Sequence, residues 1–451
     1  MNQNEPIYDA RALGTPKMMV LGVQHMFAMF GATVLVPALT GLSVSSTLLF
    51  AGLGTLLFHC LTKMQVPAFL GSSFAFIGGY AAIAPMLPDA NGNATVANTD
   101  MLPYACFGVA CAGLMYVLLS ALFKVFGTRT VMRYFPPIVT GPVIICIGLT
   151  LSKTAIDSCR SNWGIALVAI AAVVVCNIWG KGMVKIIPIL LGVVASYTVA
   201  ALTNYVDFSG VAQASWVGLP FQFENTLFGL FARPDLDTGM LLTAAVTIVP
   251  LALATMVEHV GDVCAISSTC KRNFMENPGF HRTLLGDGLA TSMAAIFGAP
   301  ANTTYGENTG VLVLSRVYDP KVIRIAAGLA ILFSFSPKFS ALVSAMPQAT
   351  MGGVSMVLYG MISAVGVRNV VENQVDFANS RNVIIAALIL VLAIGINYSG
   401  AVSFPVGTAT ISMSGLAVGA IAGIALNAIL PGKDYEFGVD EKGDTSVNFK
   451  V

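Results

Sequence analysis

Charge is scarce in this sequence. Asp, Glu, Lys and Arg together make up 10% of its residues, against about a quarter in soluble domains, and the formal balance is only +1. No basic field is present to hold a nucleic acid. The eight cysteines form no CxxC pair and no Cys/His cluster, which argues against a metal site and against a disulfide framework. They read as small core residues. No HExxH, nucleophile elbow or phosphate-binding loop occurs, so an intramembrane enzyme has little support and no cofactor is implied. The N-terminus carries Glu5 and Asp9 before the first long apolar run at Met18. It lacks the basic start and small-residue cleavage site of a signal peptide. The first helix is expected to stay in the mature protein.

Hydrophobic residues, by contrast, make up 56%, and the mean hydropathy is +0.80. A soluble fold has no way to hide that much apolar surface, so the lipid bilayer is the expected surroundings. Each spanning helix takes about 20 mostly apolar residues. The sequence places such spans near 17–37, 45–63, 75–87, 103–126, 134–152, 162–179, 184–203, 240–268, 282–298, 307–316, 320–345, 350–366, 382–398 and 406–430. That predicts an all-α polytopic membrane protein of 14 segments. With a cytoplasmic N-terminus, the even count returns the C-terminal tail, with Lys433, Lys442 and Lys450, to the same side. Loop charge agrees with this orientation. Lys124, Arg129, Arg133, Lys181, Lys185, Lys271, Arg272, Arg282, Arg316, Lys321, Arg324, Arg368 and Arg381 fall inside, while the outside loops receive only Lys153, Arg160 and Arg233, as the positive-inside rule requires.

Two spans look broken. In the third, Val66-Pro67-Ala68-Phe69-Leu70 and Gly71-Ser72-Ser73 precede an apolar helix opening near Phe74. In the tenth, a Thr-rich, β-prone run from Pro300 to Tyr305 precedes Gly306 and a short helix carrying Glu307. Divided after the seventh span, the chain holds two seven-span halves that lie in the membrane in opposite orientations. Spans three and ten then correspond, each part extended strand and part half-helix. Gly/Pro interruptions also arise as ordinary kinks and close-packing sites. Two in register, one of them with a glutamate, favour a transporter site, because unwound backbone at the midplane is tolerated only beside a cavity.

The ionisable residues at membrane depth are functional candidates. Glu258 lies midway along the apolar run from Leu241 to Ile266, and Asp262 follows four residues later on the same helix face. Two such carboxylates do not easily both ionise, and a carboxyl that holds a proton beside a ligand is what proton coupling needs. Asp262 also fits a wet helix end with no further role, and His259 a packed, satisfied histidine. Gln24 and His25 form a polar pair in the first span that either lines the site or holds two helices together. Phe74 and Tyr359 would by themselves be ordinary core aromatics.

Gln24-His25, Glu258 and its neighbours, and Glu307-Asn308-Thr309-Gly310 followed by Ser315-Arg316 together resemble the nucleobase–ascorbate transporter family, also called nucleobase:cation symporter type 2. Ser315 replaces the Thr of that family's signature. The stretch from Gln24 to Pro37, Gly71 to Phe76 and Asn302 to Gly310 are most similar to its bacterial uracil permeases. The resemblance runs from the first span to the last.

It implies that Glu258 hydrogen-bonds the base ring and that Glu307 reads the opposite edge and is tied to protonation. It further implies that Ala32 and Phe74 close around the ring, with Tyr305 and Gly306 offering backbone groups and Tyr359 a nearby aromatic. Asn308 belongs to the signature. Uracil, planar with two N–H donors and two carbonyl acceptors, suits such an inventory, and an acid at 307 favours a pyrimidine. Asp262 departs from the pattern, standing where the similar uracil permeases carry a histidine, and keeps xanthine or a broader nucleobase range open.

The family fold implies a core of spans 1–4 (17–126) and 8–11 (240–345), and a gate of spans 5–7 (134–203) and 12–14 (350–430), between cytoplasmic tails 1–16 and 431–451. It further implies a homodimer through the gate, alternating access and a bacterial inner membrane, and because the acids form no recognisable sodium-like oxygen cage, inward proton flow is expected to drive uptake.

Overall fold

The computed structural model describes residues 6–88, 94–400, 402–406 and 409–433. The chain is mostly helical. Among the described residues, its longer helices and the two that follow the interior strands are α1 (Thr15–Thr40), α2 (Val44–Leu61), α3 (Ile77–Ile83), α4 (Leu102–Phe126), α5 (Pro137–Cys159), α6 (Trp163–Trp179), α7 (Pro188–Leu202), α8 (Thr238–Cys270), α9 (Phe280–Ile296), α10 (Gly306–Ser315), α11 (Pro320–Ser334), α12 (Gln348–Glu372), α13 (Ser380–Ser399) and α14 (Gly415–Ile429). Helices of four to eight residues lie between some of them.

Among the described residues, seven helices are long and apolar enough to cross a membrane: α1, α2, α4, α5, α8, α12 and α13. Four shorter apolar helices, Phe74–Ile83, α6, α7 and α14, have 10–17 residues each. At 1.5 Å per residue such helices are about 15–25 Å long, less than the ~30 Å hydrocarbon core.

Packing joins elements far apart in sequence. α5 lies along α12, α4 along α9, and α2 along α11; α6 packs on α7 and α13 on α14; α1 meets α11 and α8 meets α4; α12 touches α6 and α13 touches α5. Small residues make these approaches possible. A β-carbon at Gly148 would stand 2.1 Å from the Tyr359 carbonyl, and one at Gly366 would stand 2.6 Å from the Ile145 nitrogen, so α5 and α12 meet backbone to backbone.

The two interrupted spans cross in the interior. β1 (Leu70–Ser72) pairs antiparallel with β2 (Asn302–Thr304) in the register Leu70↔Thr304, Gly71↔Thr303 and Ser72↔Asn302. Both strands are buried throughout. Hydrogen bonds from Ser73 N to Ala301 O (2.8 Å) and from Tyr305 N to Phe69 O (3.0 Å) extend the ladder at each end. Buried backbone needs such partners, and side chains supply more. The Asn302 amide donates to Phe50 O (3.0 Å), the Thr55 hydroxyl accepts from Leu70 N (2.9 Å), and the Thr291 hydroxyl donates to Asn302 O (2.8 Å).

Several boundaries differ from the sequence reading. The fold is not purely helical: besides β1 and β2, a hairpin of β3 (Val402–Val406) and β4 (Ala409–Met413) occupies the stretch where the last span was expected to begin. α14 starts only at Gly415, after a run whose Thr, Ile and Val favour extended backbone.

The span expected over 320–345 is instead two helices, α11 and Pro337–Ser344, bent by 88°. Ser336 caps the second, accepting from Phe339 N at 3.4 Å, and Pro337 occupies its first turn. The third span ends at Ile83 rather than 87. Of the C-terminal tail 431–451, only 431–433 are described; Lys442 and Lys450 lie outside the described residues. Within the stretch read as an N-terminal tail, residues 6–13 fold onto the ends of α8, α10 and α11.

Candidate functional site

The strand crossing creates two helix N-termini in the protein interior. After β1 the chain enters a short 3-10 turn, Phe74–Phe76, and then α3; after β2 it enters α10 through Tyr305. The unpaired N–H groups and partial positive charge of such ends suit an electron-rich ligand.

Tyr305 is held in place from several sides. Its hydroxyl donates to Ser72 O (2.9 Å) and lies 3.3 Å from the Ser72 hydroxyl, which itself donates to Thr33 O on α1 (2.8 Å). The Tyr305 ring passes over Gly71, where a β-carbon would stand 2.5 Å from it and 2.7 Å from the Thr33 hydroxyl. Only a residue without a side chain admits the ring here.

A cavity of about 820 Å³ opens in front of this crossing. Its deep wall includes Phe74, Glu258, Asp262, Thr304, Tyr305 and Gly306. Phe135, Ile144, Leu358 and Ile362 face them from α5, α12 and the turn before α5. Towards the end of the molecule that bears the N-terminus, the wall becomes polar and exposed, with Lys271, Arg316 and Arg368. Glu258 and Asp262 on α8 are both half-buried. A β-carbon at Gly306 would lie 3.9 Å from Asp262 Oδ1, so α8 and the start of α10 come face to face.

Five of the residues singled out from sequence thus share one cavity wall, Phe74, Glu258, Asp262, Tyr305 and Gly306, and Glu307 follows Gly306 in the first turn of α10. The Glu307 side chain lies outside the described residues.

The others stand one layer behind. Tyr359 is buried and packs edge-on against Phe74, ring centroids 5.8 Å apart at 75°. Ala32 is fully buried on α1, beside the Thr33 carbonyl that fixes Ser72. The Asn308 amide lies 3.1 Å from His25 Nδ1 and donates to His25 O at 3.1 Å, tying α10 to α1. Gln24 is half-buried beside it.

Sequence reasoning missed two groups. Thr304 donates to Asp262 Oδ2 (2.9 Å) and its hydroxyl lies 3.5 Å from His259 Nδ1. That nitrogen is 2.9 Å from Asp287 Oδ2 on α9, with both side chains fully buried. His259, read as a packed histidine, is therefore one half of an ionisable pair. A lone acid in the apolar run 282–298 was a visible sign that Asp287 mattered.

Apolar helices, an interrupted pair of spans crossing as strands, and a cavity lined by carboxylates at that crossing define a polytopic membrane transporter. The solved structures agree at the level of the fold. The transmembrane domain of a cyanobacterium bicarbonate transporter, BicA, matches with a TM-score of 0.58 at 16% identity, covering 87% of this chain and 97% of that one. The structure of SLC26A9 matches with a TM-score of 0.63 at 12% identity, covering 94% of this chain and 66% of that one.

The chain belongs to the Permease family, whose model Xan_ur_permease matches residues 16–401. It is 41% identical to the uracil permease of Bacillus caldolyticus over 440 residues, 95% of this chain and 96% of that protein. Over 460 residues it is 37% identical to the uracil permease of Bacillus subtilis (strain 168), 99% of each chain. The Escherichia coli (strain K12) uracil permease is 35% identical over 420 residues, 91% of this chain and 90% of that one. These relatives are permeases, and the chain is a transporter rather than an enzyme.

Proposed function

We propose that the protein is a proton-coupled symporter that imports uracil across a bacterial cytoplasmic membrane. The observation that carries this reading is the cavity wall: Glu258 and Asp262 stand across from the Tyr305–Gly306 break, with Phe74 beside them. Its groups match a flat ring with N–H donors and carbonyl acceptors. In this assignment Glu258 accepts from the ring, the backbone at Tyr305 and Gly306 reads another edge, and Phe74 covers a face, backed by Tyr359. The family resemblance gives Glu307 the opposite edge and a part in protonation, with Ala32 close to the ring. His25 and Asn308, joined by hydrogen bonds, brace α10 against α1, beside Gln24. The uracil permeases among the relatives support the substrate class.

The fourteen helices are read as two inverted repeats, and the packing supports this. Replacing each helix by the one seven places away exchanges the α4–α9 contact with α11–α2, α6–α7 with α13–α14, α1–α11 with α8–α4, and α12–α6 with α5–α13. β1 and β2 pair with each other. On this reading 17–126 and 240–345 form the core, and 134–203 and 350–430 the gate through which a dimer assembles. Both termini are cytoplasmic, and the exposed mouth at Lys271, Arg316 and Arg368 faces the cell interior. Alternating access then moves core against gate, and proton and base raise each other's affinity.

Competition experiments test the substrate. Uptake of labelled uracil by cells expressing the chain is measured with excess unlabelled xanthine, thymine or cytosine, and with sulfate or bicarbonate. Inhibition by unlabelled uracil but not by the inorganic anions supports the proposal, because two carboxylates on the wall are a poor lining for an anion. Strong inhibition by xanthine would shift the reading to the alternative that Asp262 favours, a purine or broad-range nucleobase carrier.

A further inference from the structure

α10 is too short to be held by its own length. Its ten residues make about 15 Å of helix, half of the hydrocarbon thickness. Its first end is tied to β1 through β2. Its other end stops at Arg316, which adopts left-handed backbone at φ 54° and returns its N–H to Leu312 O at 2.9 Å. What holds that end is the segment Pro6–Leu13.

This strap makes contacts of four kinds. Ile7 forms a parallel bridge with Val317, with Ile7 N donating to Arg316 O and Tyr318 N to Ile7 O, each at 2.8 Å. The Tyr8 hydroxyl donates at 2.9 Å to the carbonyl of Cys270, the last residue of α8, where helical carbonyls lack intrahelical partners. The Tyr8 ring lies under the Arg272 guanidinium, 4.2 Å away, and beside Tyr318, centroid to centroid 5.6 Å. Ala10 N donates to Asp319 Oδ2 (2.8 Å), the side chain that caps α11. Tyr8 therefore joins the end of α8 to Tyr318, just beyond α10, while the backbone of adjacent Ile7 holds Arg316 at the α10 cap, and nearby Pro6 lines the cavity mouth.

We propose that Tyr8 is a positioning residue for the binding site: through the strap it fixes the separation of the α8 and α10 ends, and so the gap in which Glu258 and Asp262 face Gly306. The inference rests on the reading of α8 and α10 as the substrate-binding segments. Tyr8 is not part of the cavity lining; the effect passes along two helices. The exposed Arg11–Asp9 pair contributes little to it, as surface ion pairs do. Tyr8 supplies both a hydrogen bond and a cation–π contact.

Full-length Tyr8→Ala and Tyr8→Phe are compared with the unaltered chain by hydrogen–deuterium exchange over 306–316 and by labelled-uracil binding. Loss of a hydrogen bond and a cation–π contact should speed exchange there, and weaken uracil binding, on the order of tenfold in Tyr8→Ala. KM should rise while the maximal rate holds. Tyr8→Phe keeps the ring contacts and loses only the hydroxyl, so it should fall between the two. Unchanged exchange over 306–316 in Tyr8→Ala overturns the strap. Faster exchange with unchanged uracil binding overturns its link to the site. Should the unaltered chain bind no uracil at all, the functional reading fails, and the exchange comparison alone still decides whether Tyr8 holds α10.

Discussion

His259 on α8 and Asp287 on α9 meet at 2.9 Å, Nδ1 to Oδ2, with neither side chain exposed. Through the Thr304 hydroxyl, 3.5 Å from that nitrogen and 2.9 Å from Asp262 Oδ2, polar contacts run from the cavity wall into the interior. Removing one member leaves the other's buried polar group without that partner, a loss of about 1–3 kcal/mol. Asp287→Ala should lower the melting temperature of the detergent-purified protein markedly. His259→Leu combined with Asp287→Leu should cost less than the sum of the two single changes. Additive effects would show that the pair is not an energetic unit.

Gly71→Ala drives a β-carbon into the Tyr305 ring and the Thr33 hydroxyl. Overpacking of this kind costs about 1–3 kcal/mol, and here it displaces a residue of the cavity wall. Uracil binding should weaken on the order of tenfold, as 1.4 kcal/mol corresponds to a factor of ten. Gly78→Ala is the control, since a β-carbon at Gly78 meets nothing within 4 Å. Equal binding by both variants would remove the ring's role.

Glu258→Gln keeps the shape of the side chain and removes its charge. Hydrogen bonds to charged groups are worth about 1.5–3 kcal/mol, so uracil affinity should fall about tenfold to a hundredfold. Isothermal titration of the purified variant measures it, and an affinity within twofold of the unaltered chain would exclude Glu258 from the ligand contacts.

The Asp9 contacts on the exposed side of the strap have a pH dependence of their own. The Arg11 side chain, and then its backbone N–H, hold the Asp9 carboxyl well below its ordinary value of 3.8, with Lys321 adding to the effect. A depressed carboxylate contributes stability that is present above its unfolded pKa and lost as pH falls through the folded value. The Asp9 contacts should therefore be unchanged between pH 7 and 5 and weaken only below about 4. Hydrogen exchange over 6–13, corrected for the intrinsic pH dependence of exchange, checks this; loosening between pH 7 and 5 would assign the strap to other groups.

Much of this arrangement was legible in the sequence because its signals were local. Pro300 followed by Thr303, Thr304 and Gly306 marked extended backbone and then a helix start, and Gly71-Ser72-Ser73 before Phe74 did the same in the other half. Glu258 and Asp262, four apart, had to share a face. Other features depended on distant partners. Tyr8 meets Cys270, 262 residues away, and nothing near Tyr8 announces that contact. The 88° bend after α11 follows from a cap and proline, Ser336-Pro337, set inside an otherwise continuous apolar run. The β3–β4 hairpin was hidden for a similar reason, since its Val, Phe and Ile raise hydropathy as much as a helix would. Asp287 was missed although the reasoning applied to Glu258 covers it.

The most direct test of the central claim is uptake of labelled uracil into proteoliposomes holding the purified chain, with an acid outside and a neutral inside, alongside Glu307→Gln. The account predicts accumulation that collapses with a protonophore and is lost in the variant. Uracil accumulation that persists without a pH gradient, or that the variant retains in full, would contradict it.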